Sequence, residues 1–281
     1  MTHQSKPTKQ FNPDSGENGQ WVQLNVGLVR DRDGPLPSAR ALFDQIEPVV
    51  TDWRSRGWLR WFFFMRKSPD VRLRFFVTVD RDPVIANLTA LMDVLQREQF
   101  INLYFFSEYQ PETERFGGIA AMSAVHQYFD LDTALWLILD RLDRQQLRQI
   151  PQESLLANII HDLSIRTMLD QVLILSVWRS LSLLLPIPES DTCSPVELLP
   201  IETLGHSRSA TEIEANVLQQ YAIANNLLAQ ALNHLHQRGL LTQQLADILA
   251  TISMFNLHRH GFHGHHSAAI VSAILQSEII T

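Results

Sequence analysis

Residues 58–79 read WLRWFFFMRKSPDVRLRFFVTV, and this stretch decides the fold. Two runs rich in aromatic and β-branched residues, 58–66 and 71–79, are separated only by KSPD at 67–70, a link too short for anything but a β-hairpin. Upstream, WVQLNVGLVR at 21–30 alternates apolar and polar residues as a strand does, and the turn-rich DRDGPLPS follows it. Ser38 then caps a helix through ARALFDQIEPVVTDWRSR, with Pro48 expected to kink or break it and Gly57 to end it. Downstream, Asp82-Pro83 opens a helix through IANLTALMDVLQREQ, and INLYFFSEY at 101–109 reads as a fourth strand. The order β-α-β-β-α-β is that of the ferredoxin-like split unit, an antiparallel sheet with two helices on one face. The opposite face is expected to be free for function or for a partner.

After Gly118 the pattern turns helical, with helices expected over 119–129, 132–148, 153–185, 210–238, 242–257 and 267–280. The proline-rich 186–207 is too long for an ordinary turn and reads as a loop or connecting flap. The fold class is therefore α+β. Residues 1–20, polar and holding no apolar run of the kind a signal peptide requires, are expected to form a disordered lead. Residues 21–281 form one domain with an α+β part (21–118) and a helical part (119–281). The most apolar stretch, Val172 to Ile187, is interrupted by Arg179 and Pro186 and falls short of the roughly 20 residues that cross a bilayer; it reads as a buried helix.

Composition narrows the function. The net charge of −7 argues against a general nucleic-acid binder. Cys193 is the single cysteine, which excludes an intrachain disulfide and a thiolate cluster, and fits a cytoplasmic location. The chain has no G-x-G-x-x-G, G-x-S-x-G, H-E-x-x-H or Gly-rich phosphate loop.

Against that acidic background, residues 54–74 carry seven Arg or Lys and the single acid Asp70, a local charge of +6. Strand alternation places Arg72 and Arg74 on one face with Phe76, while Leu73, Phe75 and Val77 face the other way. Two guanidiniums side by side on a rigid strand suit an anionic leaving group or a developing enolate; a solvated outer face with cross-strand ion pairs gives the same pattern. The segment YQPETERFGG at 109–118 leads from the fourth strand into a helix, either as a plain turn with Glu114 and Arg115 at the surface or as a means of aiming Arg115 at the arginine face. The run from His258 to His266 could supply a general acid or base, but its spacing fits no closed metal site. His126, His161, His234 and His236 read as ordinary surface or partly buried positions, and Trp58, Trp61, Phe62 and Phe64 either as core or as a docking patch for a peptide or a second subunit.

The run WFFFMRKSPDVRLRFF, followed by YQPETERFGG and then by Phe129-Asp130-Leu131-Asp132-Thr133, resembles the C-terminal elimination domain of lantibiotic dehydratases, also called the thiopeptide-type bacteriocin biosynthesis domain. The resemblance spans roughly 21–280, and its most distinctive element is E-R-[FY]-G-G after an R-x-R strand. It implies a lyase that removes glutamate from glutamylated Ser or Thr of a ribosomally made precursor peptide, leaving dehydroalanine or dehydrobutyrine. No glutamylation domain is recognisable here, so a separate glutamyl-tRNA-dependent protein would supply the substrate. Arg72 and Arg74 match the family's R-x-R and Arg115 its turn arginine; with His258 these are the catalytic candidates, and Arg66, Tyr109, Glu114 and His260 the substrate-binding ones. No cofactor, metal, membrane or direct nucleic-acid contact is expected, and homodimerisation is left open.

The sequence also departs from the family. Counted from Ser253, the family's late histidine falls on Asn256, and His258 or His260 reaches that register only with a shift. The hairpin link lacks the family's His, and His126 stands where the family has Glu before Phe-x-x-Asp. Two alternatives follow: a pyridine-forming cycloaddition between dehydroamino acids, or a non-catalytic subunit that presents the precursor.

Overall fold

The computed structural model describes residues 19–30, 36–168, 170–187, 196–207, 210–262 and 264–280. The expected lead at 1–20 lies almost entirely outside them, as does the middle of the 186–207 loop. Strands β1 (Gln20–Leu28), β2 (Leu59–Lys67), β3 (Asp70–Val77) and β4 (Ile101–Ser107) form an antiparallel sheet in the order β2-β3-β1-β4. Helices α1 (Leu36–Ser55) and α2 (Arg81–Arg97) complete the β-α-β-β-α-β unit, and the rest of the described chain is helical. This is the α+β class expected from the alternation. Helix α1 runs through Pro48 without ending there.

One sheet face and the two crossover helices form a dry core. Val22, Leu24, Val26, Phe62, Phe64, Leu73 and Phe75 meet Leu42, Phe43 and Ile46 of α1 and Val84, Leu88 and Met92 of α2, all at most 2% exposed. Each such side chain contributes roughly 1.5–3 kcal/mol by leaving water. Phe62 and Phe64 are thus core rather than a docking patch; Trp61 is also buried, but on the opposite face against Trp21 and Phe76, and Trp58 is half-buried.

The other face is not open along its length, contrary to the expectation from the sequence. Helix α3 (Ile119–Arg144) and helix α8 (Leu245–Arg259) pack against β2, burying Phe63 and Met65 with Phe116, Phe129 and Phe255. The face stays accessible at β4, where Leu103 and Phe105 are 41% and 48% exposed. Helical periodicity says which residues of a helix share a stripe but not what a neighbouring half of the chain covers.

The helix boundaries moved for identifiable reasons. The two helices expected over 119–129 and 132–148 are one, α3, because Asp130 and Asp132, weak helix formers, both find partners outside the helix. The single helix expected over 153–185 is two, α4 (Gln152–Met168) and α5 (Gln171–Leu184), since the Asp170 side chain accepts from the Val172 and Leu173 N–H groups and starts a new helix. The long loop contains α6 (Ile201–Gly205) before α7 (Glu212–Gln237); α9 (Gly264–Ile280) closes the described chain. Helix α5 is not the buried helix its composition suggested. Val177, Trp178 and Leu181 are buried, whereas Val172 is 71% and Leu183 85% exposed. Among the described residues no helix is long and apolar enough to cross a membrane.

Candidate functional site

On the face that α3 and α8 cover only in part, ladder register fixes a polar set in the middle of an aromatic one. Arg74 of β3 lies opposite Phe63 of β2 and Gln23 of β1, Arg72 lies opposite Met65 and Asn25, and Gln23 and Asn25 lie opposite Ser107 and Phe105 of β4. Arg74 donates from Nε to Gln23 Oε1 at 2.9 Å. Gln23 in turn donates to Ser107 Oγ at 2.8 Å, and Asn25 donates to the same oxygen at 2.9 Å. Arg72 is half-buried and donates to the Ser68 carbonyl at 2.9 Å, folding back along the hairpin turn, whose Ser68-Pro69 bond is cis.

Arg74 is only 7% exposed, and among the described residues no carboxylate lies within ion-pair distance of it. Its guanidinium sits 4.4 Å from the Tyr109 ring centroid and 5.3 Å from that of Phe63. Burial lowers its pKa to about 10, and Arg72 acts in the same direction. A buried guanidinium held by aromatic faces and one amide oxygen keeps most of its hydrogen-bonding capacity for an incoming anion.

Tyr109, half-buried just beyond β4, hydrogen-bonds through Oη to His126 Nε2 of α3 at 2.9 Å. Trp21 packs on both rings, with centroids at 4.8 and 4.6 Å. Burial pushes Tyr109 up to about 12, and burial with the Arg74 charge pushes His126 down to about 3, so both are neutral around pH 7. His126, read from the sequence as an ordinary position, is 4% exposed and part of this site.

The turn after β4 brings up a further cation. Residues 113–116 form a 3-10 turn closed by Gly117 and Gly118 at φ 89° and 96°, a backbone region that favours glycine. A Cβ at Gly117 would stand 2.6 Å from Ile248 Cδ1 of α8, so the turn is seated on the helical half. Arg115 at its tip is exposed and donates to Glu112 at 2.7 Å. Lys67 reaches the same carboxylate at 3.7 Å, and Glu112 also acts on Arg74 electrostatically. Glu114, its neighbour in the turn, is exposed.

The other candidates lie elsewhere. Arg66 occupies the opposite strand parity, donates to the Arg259 carbonyl at 3.2 Å and stacks over Trp136. His260 is buried, with Nε2 3.2 Å from Asp132 Oδ1 and from Tyr221 Oη. Both adjoin a fully buried ion pair between Arg259 and Asp132, whose arginine also donates to the Phe64 carbonyl at 3.0 Å and so ties α3 and α8 to β2. Burial pushes the Asp132 carboxyl up, but Arg259 and His260 outweigh it and hold the group at about 2. Asp130 accepts from the Phe62 N–H at 2.7 Å and pairs with Arg54. The two carboxylates of Phe129-Asp130-Leu131-Asp132 are thus anchors of β2. Phe63 and Phe129, 5.4 Å apart, stand between Arg74 and Arg259 and keep the two guanidiniums out of contact, although the Arg259 charge still acts on Arg74.

Asn256, at the register of the family histidine, is completely buried and donates to Tyr128 Oη at 3.0 Å. His258 is half-buried near the end of α8. Among the described residues no cluster of three metal-ligating side chains forms.

Over residues 21–276 the sequence matches the family model described as lantibiotic biosynthesis dehydratase C-term. The chain belongs to the lantibiotic dehydratase C-terminal family. A solved structure with the same fold is that of the tRNA-dependent lantibiotic dehydratase MibB from Microbispora sp. 107891, at TM-score 0.58 and 15% identity. The match covers 99% of this chain and 29% of that one, so the domain described here spans under a third of that dehydratase. No curated protein sequence matches the chain. For a lantibiotic dehydratase C-terminal domain, the residues missed in the sequence are Gln23, Asn25, Ser107, Glu112 and His126. The polar positions of β1 shared the parity of the arginine face and were legible in principle; His126 showed only as a departure from the family's Glu, because a helix pattern does not say which strand it will face.

Proposed function

We propose that this domain eliminates glutamate from glutamylated Ser or Thr residues of a ribosomally made precursor peptide, leaving dehydroalanine or dehydrobutyrine. The observation that carries the reading is Arg74: a buried cation without a carboxylate partner among the described residues, beside Arg72 and within the field of Glu112, which Arg115 pairs. Elimination takes the Cα proton to a base, turns the Cα–H electron pair into the Cα=Cβ bond, and releases the Cβ–O electron pair with glutamate as a carboxylate. Negative charge develops first on the peptide carbonyl oxygen and then on the leaving group, and cations on the strand and on the turn beside it answer these two needs. His258 is the candidate proton acceptor, and Arg115 the candidate for the leaving carboxylate. The partners of such a domain are the precursor peptide and a protein that glutamylates it from glutamyl-tRNA.

The test is intact-mass analysis of a glutamylated precursor peptide incubated with the protein. The expected product has lost glutamate together with its ester oxygen, and Arg115→Ala is expected to leave the adducts in place. A peptide unchanged by the wild-type protein overturns the reading.

One observation favours a second chemistry. Asn256 puts an amide, locked in the core, at the register of the family histidine. A domain that joins two dehydroamino acids into a pyridine-type ring has no carboxylate to expel. Conversion of a fully dehydrated peptide, with the glutamylated one left intact, would select it.

A further inference from the structure

The pair formed by Tyr109 and His126 lies beside Arg74, and its protons are countable. His126 is neutral and holds one N–H, and Tyr109 holds one O–H. The 2.9 Å contact between Oη and Nε2 uses one of these protons. If Nε2 accepts, the tyrosine proton is spent inside the pair and only lone pairs face the arginines. If Nε2–H donates, the tyrosine proton is free to point at an acceptor bound next to the guanidinium. An anion brought in by Arg74 favours the second arrangement, since a lone pair facing an oxyanion is repelled and a hydroxyl proton is attracted. Trp21, packed edge-on against Tyr109 and tilted against His126, keeps the two rings from turning apart.

We propose that Tyr109 is a catalytic residue that donates its hydroxyl hydrogen bond to the oxyanion held by Arg74, and that His126 is a positioning residue whose Nε2–H fixes the hydroxyl rotor toward the site. The ligand class is a carboxylate or enolate oxygen. No bond to Tyr109 forms or breaks, and the Cα proton goes to a separate base. The inference rests on the elimination reading for the identity of the oxyanion, and on the geometry alone for the donor pair.

The test reads binding and turnover separately, with L-glutamate, the product of the proposed reaction, as the calorimetric probe. Tyr109→Phe is expected to weaken L-glutamate binding about tenfold and to lower kcat on a glutamylated peptide by about a hundredfold with KM little changed. His126→Phe, which keeps the ring, should reproduce part of the loss, and His126→Gln, whose amide can donate to Oη, should restore it. The double variant Tyr109→Phe/His126→Phe should be no worse than Tyr109→Phe alone, because the histidine acts only through the hydroxyl. Wild-type binding in Tyr109→Phe, additive losses in the double variant, or no L-glutamate binding by the wild-type protein would each overturn the proposal. Tyr109-dependent glutamate binding without any turnover by the wild type would instead leave the donor pair standing and remove the elimination reading.

Discussion

Replacing Arg74 by methionine separates a functional cation from a structural one. A lowering of its pKa from 12.5 to about 10 means that the fold disfavours the charged form by roughly 3 kcal/mol relative to the neutral one. Methionine removes that penalty and still fills the space between Tyr109 and Phe63. Against the gain stand the lost hydrogen bond to Gln23, about 1 kcal/mol, and two ring contacts that contribute ~1–2 kcal/mol together. The sum is close to zero. We therefore predict that Arg74→Met changes the unfolding free energy by no more than about 1 kcal/mol in urea titrations at pH 7, while L-glutamate binding and glutamate elimination are lost. An arginine kept for stability behaves otherwise: breaking a buried ion pair costs ~3–5 kcal/mol. A loss of about 3 kcal/mol or more on Arg74→Met would refute the argument that this charge is held at a net cost for use on a ligand.

Three further predictions concern stability. His126 has a folded pKa of about 3, depressed by burial from 6.5, so the unfolded chain binds a proton that the folded one does not; its contribution is complete above pH 6.5 and is lost as pH falls toward 3. Unfolding free energy should drop by about 1.4 kcal/mol per pH unit in that window, and His126→Phe should flatten the dependence by one proton, which urea titrations between pH 5 and about 7 will show. Asp132→Ala leaves Arg259 buried and unpaired and should destabilise the fold by ~3–5 kcal/mol, whereas Asp132→Ala/Arg259→Met should recover part of that in thermal melts. Glu214 accepts from the Gln149 and Ile150 N–H groups at 2.9 Å while closing a capping box with Thr211, so Glu214→Ala should cost ~2–3 kcal/mol and Thr211→Ala about 1 by the same assay.

Arg72 and Arg74 were placed on one face by strand parity alone, and the sheet bears this out because parity is a property of the backbone. That one of them is buried and the other folds back on Ser68 was not legible, since burial depends on what α3 and α8 cover. Arg66 shows the limit in reverse. It belongs to the same basic run, yet its parity sends it to Trp136 and the Arg259 carbonyl. His260, five residues from His265 in the sequence, is tied to Asp132 and Tyr221 in the core, while His265 hydrogen-bonds the Ile187 carbonyl near the surface. A histidine-rich run reads as one feature in the sequence, but a helix end and a turn divide it.

By itself the sequence determined the β-α-β-β-α-β order, the hairpin at 58–79 and the parity that pairs Arg72 with Arg74, because these depend on local periodicity and on turn length. The basic run, the E-R-F-G-G turn and their separation also sufficed for the family. Tertiary structure alone decided that the arginine face is partly roofed, that Tyr109 meets His126 beneath Arg74, and that Asp132 belongs to a buried pair with Arg259. Those contacts join residues 17 to 127 positions apart in the chain, at distances and burials fixed by the packing of one half on the other, and no local pattern encodes that packing.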